Sequence, residues 1–227
     1  MRFLDRSEAG RQLADKLRHL KDKKPVVLAL PRGGVPVGVE IASALAAPLD
    51  LVLVRKIGVP WQPELALGAV TDGEHPQTYI DSELAAALAI PDDYVKEETA
   101  RQVAELERRR HVYCAGRARV DIGGSTAIVV DDGIATGATM RVALQAVRRR
   151  NPARVVLATP VAAEETISKL RPLADEVVCA DMPGWLGAIG FYYRDFHQIS
   201  DAEVTDILAR AVFPAEAPAS APTKSTS

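Results

Sequence analysis

The stretch Thr126-Ala-Ile-Val-Val-Asp-Asp-Gly-Ile-Ala-Thr-Gly-Ala-Thr139 joins an apolar run, two adjacent carboxylates and a loop of small residues. The β-branched and apolar run from Thr126 to Val130 is typical of a strand that is buried on both faces. Apolar residues return at helical spacing at positions 140, 143, 144 and 147. The stretch therefore predicts a buried strand, a polar loop and the start of a helix.

The predicted loop has the features of an anion-binding site. Gly133 and Gly137 allow backbone conformations that pack several amide groups around one ligand. The first turn of the following helix leaves N–H groups without helical partners, and such groups favour a phosphate. Thr136 and Thr139 add hydroxyl donors within the same loop. These residues predict a phosphate site between the strand and the helix.

Two carboxylates, Asp131 and Asp132, stand where the predicted strand ends. Ionised carboxylates accept hydrogen bonds, so this pair suits the two adjacent hydroxyl groups of a sugar and is not itself a phosphate ligand. A sugar phosphate is therefore the predicted ligand of the whole stretch. The alternative is an ordinary strand-to-helix turn in which the Asp and Thr residues only cap the helix.

The pattern Asp-Asp-Gly-x-Ala-Thr-Gly-x-Thr after an apolar run resembles the loop that binds phosphoribosyl pyrophosphate (PRPP) in type I phosphoribosyltransferases. It lacks the Gly-Lys-Thr of a Walker A loop and the Gly-x-Gly-x-x-Gly spacing of a dinucleotide site. The resemblance extends from Leu4 to about Ala211, and it implies catalytic roles for Asp131 and Asp132. It also implies 5-phosphate binding by the loop residues Gly133, Ile134, Ala135, Thr136, Gly137, Ala138 and Thr139.

The composition fits one α/β enzyme domain and argues against several other classes of protein. The 227 residues are 48% hydrophobic, which suffices for one core and a small accessory subdomain. A net charge of -2 argues against general nucleic-acid binding, and no apolar run is long enough to cross a membrane. Cys114 and Cys179 have no partner at metal-ligand spacing, so neither a disulfide framework nor a zinc site is expected. Because no signal peptide is visible, we expect a cytoplasmic protein.

Strand and helix patterns alternate along the chain, which predicts a Rossmann-like α/β fold with a parallel sheet flanked by helices. The predicted strands are 26–30, 49–54, 126–130, 155–159 and 176–180, and segments 66–70 and 78–81 predict a β-hairpin. The predicted helices are 4–20, 37–46, 92–113, one ending near 150, 164–170 and 201–212. The resemblance implies a domain over residues 1–212, with a small hood subdomain from about 1–24 and 181–212. Residues 213–227, rich in Pro, Ala, Ser and Thr, predict a disordered tail.

Two further segments carry cations after predicted strands. Arg32-Gly33-Gly34 offers a guanidinium and exposed amides in a tight turn, which fits a pyrophosphate. By resemblance it is the pyrophosphate loop, Arg32 is catalytic, and the family often has a cis peptide bond there. If strand 26–30 lies beside strand 126–130, this loop faces the two aspartates. Lys56, which follows Arg55, is the other predicted catalytic cation, and a solvated strand-end lysine is the alternative.

The hood of family members covers the base, and residues 181–196 are its candidate here because they concentrate aromatic residues in a chain that is only 5% aromatic. Trp185 and Tyr192 are the candidates to stack on a planar base. The alternative is a hydrophobic plug at the sheet edge or a dimer contact. The loop that family members close over the site is expected between Gly58 and Gly116, with residues 108–110, all arginine, as candidates.

These observations predict a PRPP-dependent phosphoribosyltransferase, a pentosyltransferase of the glycosyltransferase class that acts in nucleotide metabolism or salvage. It would transfer ribose 5-phosphate to a nitrogenous base or amine and release pyrophosphate. Mg2+ is expected to arrive with PRPP without a protein cage, and the resemblance implies a homodimer. Ala135 stands where the hypoxanthine-guanine enzymes have an acidic residue, which disfavours a 6-oxopurine acceptor. The alternative is a PRPP- or nucleotide-binding regulatory module without transfer activity.

Overall fold

A computed structural model of the protein describes residues 3–72, 76–114 and 118–211, so the predicted tail lies outside the described residues. The elements in chain order are α1 (Arg6–Leu17), β1 (Pro25–Ala29), α2 (Gly34–Leu45), β2 (Leu49–Leu51), β3 (Val54–Val59), β4 (Gln62–Thr71), β5 (Thr78–Ile80), α3 (Ser82–Ala87), α4 (Asp92–Cys114), β6 (Thr126–Val130), α5 (Ala138–Arg148), β7 (Arg154–Val161), α6 (Glu164–Leu170), β8 (Glu176–Asp181) and α7 (Asp201–Arg210). Most predicted elements are confirmed, several with shifted ends.

The central sheet has five strands in the order β2-β1-β6-β7-β8, all parallel. Every residue of β1 and β6 is buried, as expected for a sheet with helices on both faces. Because side chains alternate across a strand, Val27 and Ile128 join one apolar core, and Leu28 and Val129 join the other. The fold class predicted from the sequence is therefore confirmed.

The predicted strand 49–54 is wrong as a single element, because the chain changes sheets within it. The N–H of Val52 still donates to the carbonyl of Ala29 in the parallel sheet, at 3.0 Å. The next residue, Leu53, donates its N–H to the carboxylate of Asp72 at 3.1 Å, which holds the chain where it leaves that sheet. From Val54 onward the backbone pairs with the long strand β4 instead.

The antiparallel sheet β3-β4-β5 contains the predicted hairpin. It also contains Arg55 and Lys56, which were expected at the end of a parallel strand. Arg55 and Lys56 lie inside β3, opposite Val70 and Ala69 of β4, so the expectation that they end a parallel strand is wrong. The physical reason is that β4 offers ten residues of backbone for pairing with β3, whereas β2 has only three residues in the parallel sheet.

Helix α4 spans the whole of the predicted helix 92–113 and packs against β3. It includes residues 108–110, so the interpretation of these arginines as part of a closing loop is wrong. Two of them, Arg108 and Arg109, are held by ion pairs to Glu105 one turn earlier. Among the described residues, no helix combines the length and apolar character that crossing a bilayer requires.

The start of the described chain packs against a segment near its end, residues 192–194. Phe3 donates its N–H to the carbonyl of Tyr192 at 2.7 Å, and Arg194 donates to the carbonyl of Phe3 at 2.8 Å. Phe3 and Tyr193 belong to a separate apolar cluster under these segments. Ser200 caps α7 in a capping box with Glu203, and α7 ends at Arg210, two residues before the predicted end.

Candidate functional site

The loops after β1 and β6 leave the sheet side by side. The two strands pair in register from Pro25 with Thr126 to Ala29 with Val130, which confirms the predicted adjacency. The pairing continues one residue further, where Leu30 donates its N–H to the carbonyl of Val130 at 2.8 Å. The segments 31–34 and 131–139 therefore begin at one edge of the sheet, at the carboxyl ends of its strands. We call the space between them the crevice.

Close backbone approach explains the two glycines of the predicted pyrophosphate loop. A Cβ atom on Gly33 would stand 2.0 Å from Oδ2 of Asp132, and one on Gly34 would stand 2.7 Å from the carbonyl oxygen of Val130. Helix α2 begins at Gly34, three residues before the predicted start at 37, so the loop is only a tight turn. The peptide bond between Pro31 and Arg32 is cis.

The aspartate pair is held by different contacts on each carboxylate. Asp131 accepts the backbone N–H of Asp132 at 2.9 Å, and Asp132 accepts Nε of Arg6 at 2.7 Å. The carbonyl of Asp132 accepts the hydroxyl of Tyr193. Burial, followed by the negative charge of Asp132, raises the pKa of Asp131 well above its usual value. The crevice thus holds one carboxylate paired with an arginine and another whose ionised form is disfavoured.

Arg6 is a residue of this site that sequence reasoning missed. Its guanidinium lies 3.9 Å from the centre of the Phe196 ring and donates to the carbonyl of His197 at 3.0 Å. A signal was present, because Arg6 lies in helical phase with the buried residues Leu13 and Leu17 of α1. A charged residue on the apolar face of a helix needs a buried partner, and here that partner is Asp132.

The predicted phosphate loop is anchored near its start and exposed toward its end. The N–H of Ile134 donates to the carbonyl of Val161 at 2.9 Å, and the hydroxyl of Thr166 donates to the carbonyl of Ala135 at 2.8 Å. Gly137 has a φ of 81°, the left-handed region that favours glycine. The side chains with direct access to solvent are those of Ala135, Thr136, Ala138 and Thr139.

Helix α5 begins at Ala138, so the last two loop residues already belong to its first turn. Thr136 and the first-turn residue Thr139 are both exposed, and the amide groups of this turn have no partner within the helix. The arrangement has the requirements of an anion site at a helix start. Gly133 at the other end packs against Ile189, where a Cβ atom would meet Cγ2 at 2.4 Å.

Arg32 and helix α7 close another side of the crevice. Nη1 of Arg32 lies 3.7 Å from Oδ1 of Asp201, the first residue of α7. The hydroxyl of Tyr113, from the last turn of α4, donates to the same carboxylate at 2.6 Å. Burial and this hydrogen bond raise the pKa of Tyr113 to about 12. Asp201 therefore links the predicted pyrophosphate loop to α4.

The crevice opens into a cavity of about 280 Å³. Its lining residues come from α1, the two loops and the segment before α7, and they are Arg6, Arg32, Gly33, Asp132, Phe196, His197, Gln198 and Ile199. The candidate stacking residues lie elsewhere: Trp185 is 81% exposed, and the hydroxyl of Tyr192 reaches the carbonyl of Trp185 at 3.5 Å. The aromatic ring at this cavity is that of Phe196, whose ring also stacks on Tyr193 with centroids 4.9 Å apart.

Lys56 is not among the residues that line this cavity. It lines a second, larger cavity between β3 and α4, together with Arg55, Arg101 and Arg109. Within the described ranges, no group of three or more His, Cys, Asp or Glu side chains is placed to hold a metal ion.

Comparison with known proteins places this geometry in a family. The model of the phosphoribosyl transferase domain matches residues 78–194, just over half of the chain. Rv0571c from Mycobacterium tuberculosis H37Rv, whose name assigns it only provisionally to the phosphoribosyl transferases, is 44% identical over 209 residues. That match covers 92% of this chain and 47% of the relative, and the same holds for MT0597 from strain CDC 1551. The chain thus spans about half the length of the curated relatives it matches.

A solved structure agrees over nearly the whole chain. The crystal structure of TT1426 from Thermus thermophilus superposes with a TM-score of 0.79 at 43% sequence identity. The superposition covers 93% of this chain and 99% of that chain. Together with the family match and the loop between β6 and α5, these likenesses show that the chain belongs to the phosphoribosyl transferase family.

Proposed function

We propose that this protein transfers the ribose 5-phosphate of PRPP to a nitrogenous base or amine and releases pyrophosphate. The observation that carries the proposal is the meeting of the two loops, in which Gly33 leaves no room for a side chain beside Asp132. In PRPP the ribose and the pyrophosphate are joined at the anomeric carbon. A loop that binds the pyrophosphate and a carboxylate pair that binds the ribose must therefore lie close together.

The phosphate loop and the two aspartates would bind different parts of PRPP. The backbone amides of the first turn of α5 and the hydroxyls of Thr136 and Thr139 would bind the 5-phosphate. Asp131 and Asp132 would accept the two ribose hydroxyls, each charge-assisted hydrogen bond contributing about 1.5 to 3 kcal/mol. Arg32 and the amides of the tight turn at residues 33–34 would hold the pyrophosphate.

Bond cleavage places positive charge on the ribose ring and negative charge on the departing pyrophosphate. The carboxylates of Asp131 and Asp132 then lie next to the oxocarbenium-like ribose, and the guanidinium of Arg32 lies next to the leaving group. Mg2+ bound to PRPP would neutralise further charge on the pyrophosphate. The donor supplies the oxygen ligands that Mg2+ prefers.

The acceptor would occupy the cavity beside the crevice. At about 280 Å³ this cavity lies near the lower end of small-molecule sites, which fits a base or small amine. Gln198 offers polar groups to the edge of such an acceptor, and Phe196 offers an apolar side. Ala135 in place of an acidic residue continues to disfavour a 6-oxopurine.

The test is pyrophosphate release from PRPP and Mg2+ with adenine, guanine, hypoxanthine, xanthine, uracil, orotate and simple amines, beside calorimetric titration with PRPP. Release with one acceptor would establish the transfer and identify that acceptor. Binding of PRPP without release from any member of the panel would favour the regulatory module instead. Absence of PRPP binding would overturn the proposal altogether.

A further inference from the structure

The cavity between β3 and α4 concentrates positive charge in a chain whose net charge is -2. It has a volume of about 620 Å³, and its described lining includes four basic side chains and one carboxylate, Glu98. The basic residues are Arg55, Lys56, Arg101 and Arg109. We call this cavity the basin. Of these cations the sequence assigned a catalytic role only to Lys56, so the other three need a separate explanation.

The carboxylates near the basin are too few for its arginines. Glu105 accepts Nε of Arg108 at 2.8 Å and Nε of Arg109 at 2.9 Å, while Nη1 of Arg55 stands 3.9 Å away. One carboxylate is thus shared by three guanidinium groups, and the hydrogen bonds from Arg108 and Arg109 lower the pKa of Glu105 to about 2. Positive charge remains in excess around it.

Glu98 is the second carboxylate, and it is already engaged. It accepts two hydrogen bonds from Arg101, at 2.8 and 2.7 Å, and another from Gln102 at 2.6 Å. Gln102 in turn accepts Nε of Arg55 at 2.7 Å, so a neutral amide occupies the place where an anion would pair with this arginine. Burial and then the nearby charge of Arg109 lower the pKa of Arg55. The cluster therefore favours an incoming anion.

We propose that the basin binds a chain of two or more phosphoryl groups, with Arg101 and Arg109 of α4 as ligands beside Arg55 and Lys56 of β3. Several cations that surround one concave space match a ligand whose charges follow one another closely. Guanidinium groups bind phosphate oxygens through two parallel N–H donors. The pyrophosphate of PRPP is one such chain, so the inference rests on the proposed function to that extent.

Helix α4, which carries Arg101 and Arg109, also reaches the neighbourhood of the pyrophosphate loop. The hydroxyl of Tyr113 in α4 donates to Asp201, which lies 3.7 Å from Arg32. The phosphoryl groups in the basin therefore have two sources, the pyrophosphate of PRPP or a separate polyphosphate. A competition experiment distinguishes these sources, and either result supports a polyphosphate site.

The first experiment is calorimetric titration with pyrophosphate and tripolyphosphate. We expect the double variant Arg101→Gln with Arg109→Gln to bind tripolyphosphate at least tenfold more weakly than the natural protein. The matched control is Arg18→Gln with Lys169→Gln, which removes two exposed cations from ion pairs of the same spacing on other helices. Equal affinity of both double variants would overturn the inference.

A second variant gives the opposite effect, which misfolding would not produce. Glu105→Gln removes the carboxylate that competes with an anionic ligand for Arg108 and Arg109. We expect it to bind tripolyphosphate about three- to tenfold more tightly, since about 1 kcal/mol of charge competition is removed. Weaker or unchanged binding by Glu105→Gln would contradict the proposal.

Titration with tripolyphosphate in the presence of saturating PRPP identifies the source of the phosphoryl groups. Competition indicates that the basin holds the pyrophosphate of PRPP, and simultaneous binding indicates a separate polyphosphate. Turnover of PRPP with tripolyphosphate binding that is insensitive to Arg101 and Arg109 would remove the inference and leave the proposed function. Binding of tripolyphosphate that depends on Arg101 and Arg109 of α4, without any binding of PRPP, would support the inference and overturn the proposed function.

Discussion

The crevice and the basin differ in how their charged side chains are paired. In the crevice, Arg6 and Asp132 form a single pair, and their side chains are only 9% and 12% exposed. Beside the basin, Glu105 is shared among Arg55, Arg108 and Arg109, whose side chains are 30%, 57% and 31% exposed. The Arg6–Asp132 pair is therefore balanced in charge and largely closed to water before any ligand arrives. The basin retains positive charge that a ligand would neutralise.

The carboxylates of the two regions also have opposite pKa shifts. Burial and a neighbouring carboxylate raise the pKa of Asp131, while hydrogen bonds from arginines lower the pKa of Glu105 to about 2. A raised pKa means that the ionised group weakens the fold, and a lowered pKa means that it strengthens the fold. The comparison indicates that Asp131 is kept at the cost of stability, as is common for groups that serve a ligand.

The largest effect is expected from removing both crevice carboxylates. Asp131→Asn with Asp132→Asn eliminates two charge-assisted hydrogen bonds to ribose, about 3 to 6 kcal/mol in total. We expect kcat/KM for PRPP to fall by about 10²- to 10⁴-fold. Steady-state pyrophosphate release measures this change, with Asp15→Asn plus Asp93→Asn as a control at two exposed aspartates. Natural rates in the crevice variant would refute the assignment of the site.

The next largest effect is expected from removing the buried guanidinium of Arg6. Arg6→Gln leaves Asp132 with an uncompensated charge in a buried place, so we expect the free energy of unfolding to fall by about 3 kcal/mol. Arg101→Gln in the basin, where the side chain is 73% exposed, should change it by less than about 1 kcal/mol. Urea denaturation compares the two. Equal losses of unfolding free energy in the two variants would contradict the expected difference between the crevice and the basin.

A smaller effect is expected from filling the tight turn. Gly33→Ala places a Cβ atom 2.0 Å from Asp132 in the absence of rearrangement, so the carboxylate must shift from its position. We expect PRPP affinity to fall by about ten- to a hundredfold, from a steric cost of about 1 to 3 kcal/mol. Gly184→Ala is the control, because a Cβ atom there meets nothing within 4 Å. If both variants bind PRPP equally, close approach is not what the turn requires.

The smallest effect is a difference in the pH dependence of stability. Natural protein loses stability as pH rises from the unfolded pKa of Asp131 toward its raised folded pKa, and Asp131→Asn lacks this loss, so its relative stability should grow with pH above about 4. Glu105→Gln should behave in the opposite sense. It is less stable above the unfolded pKa of about 4.5, and the difference disappears as pH falls toward about 2. Thermal unfolding across pH 2 to 7 measures both, and slopes of the same sign would contradict the comparison.

Local patterns predicted the central strand of the crevice but not the basin. Strand β6 was predicted with correct bounds, because five buried apolar residues followed by Asp131, Asp132 and glycines admit few alternatives. The basin joins β3 to α4, and of its arginines the sequence singled out only Arg55, beside Lys56, and Arg109, as part of a closing loop. Packing explains that failure, since periodicity does not reveal that α4 lies against β3.

The sequence by itself determined the parallel α/β class, the loop after β6 and its likeness to a PRPP site, because these depend on residues that are neighbours in the chain. Only the tertiary structure decided that Arg6 pairs with Asp132, that Phe196 and neither Trp185 nor Tyr192 borders the cavity, and that Lys56 lies in the basin. Each of these contacts joins distant segments, and their meeting depends on which strands and helices pack together. Periodicity reports one element at a time and carries no information about that packing.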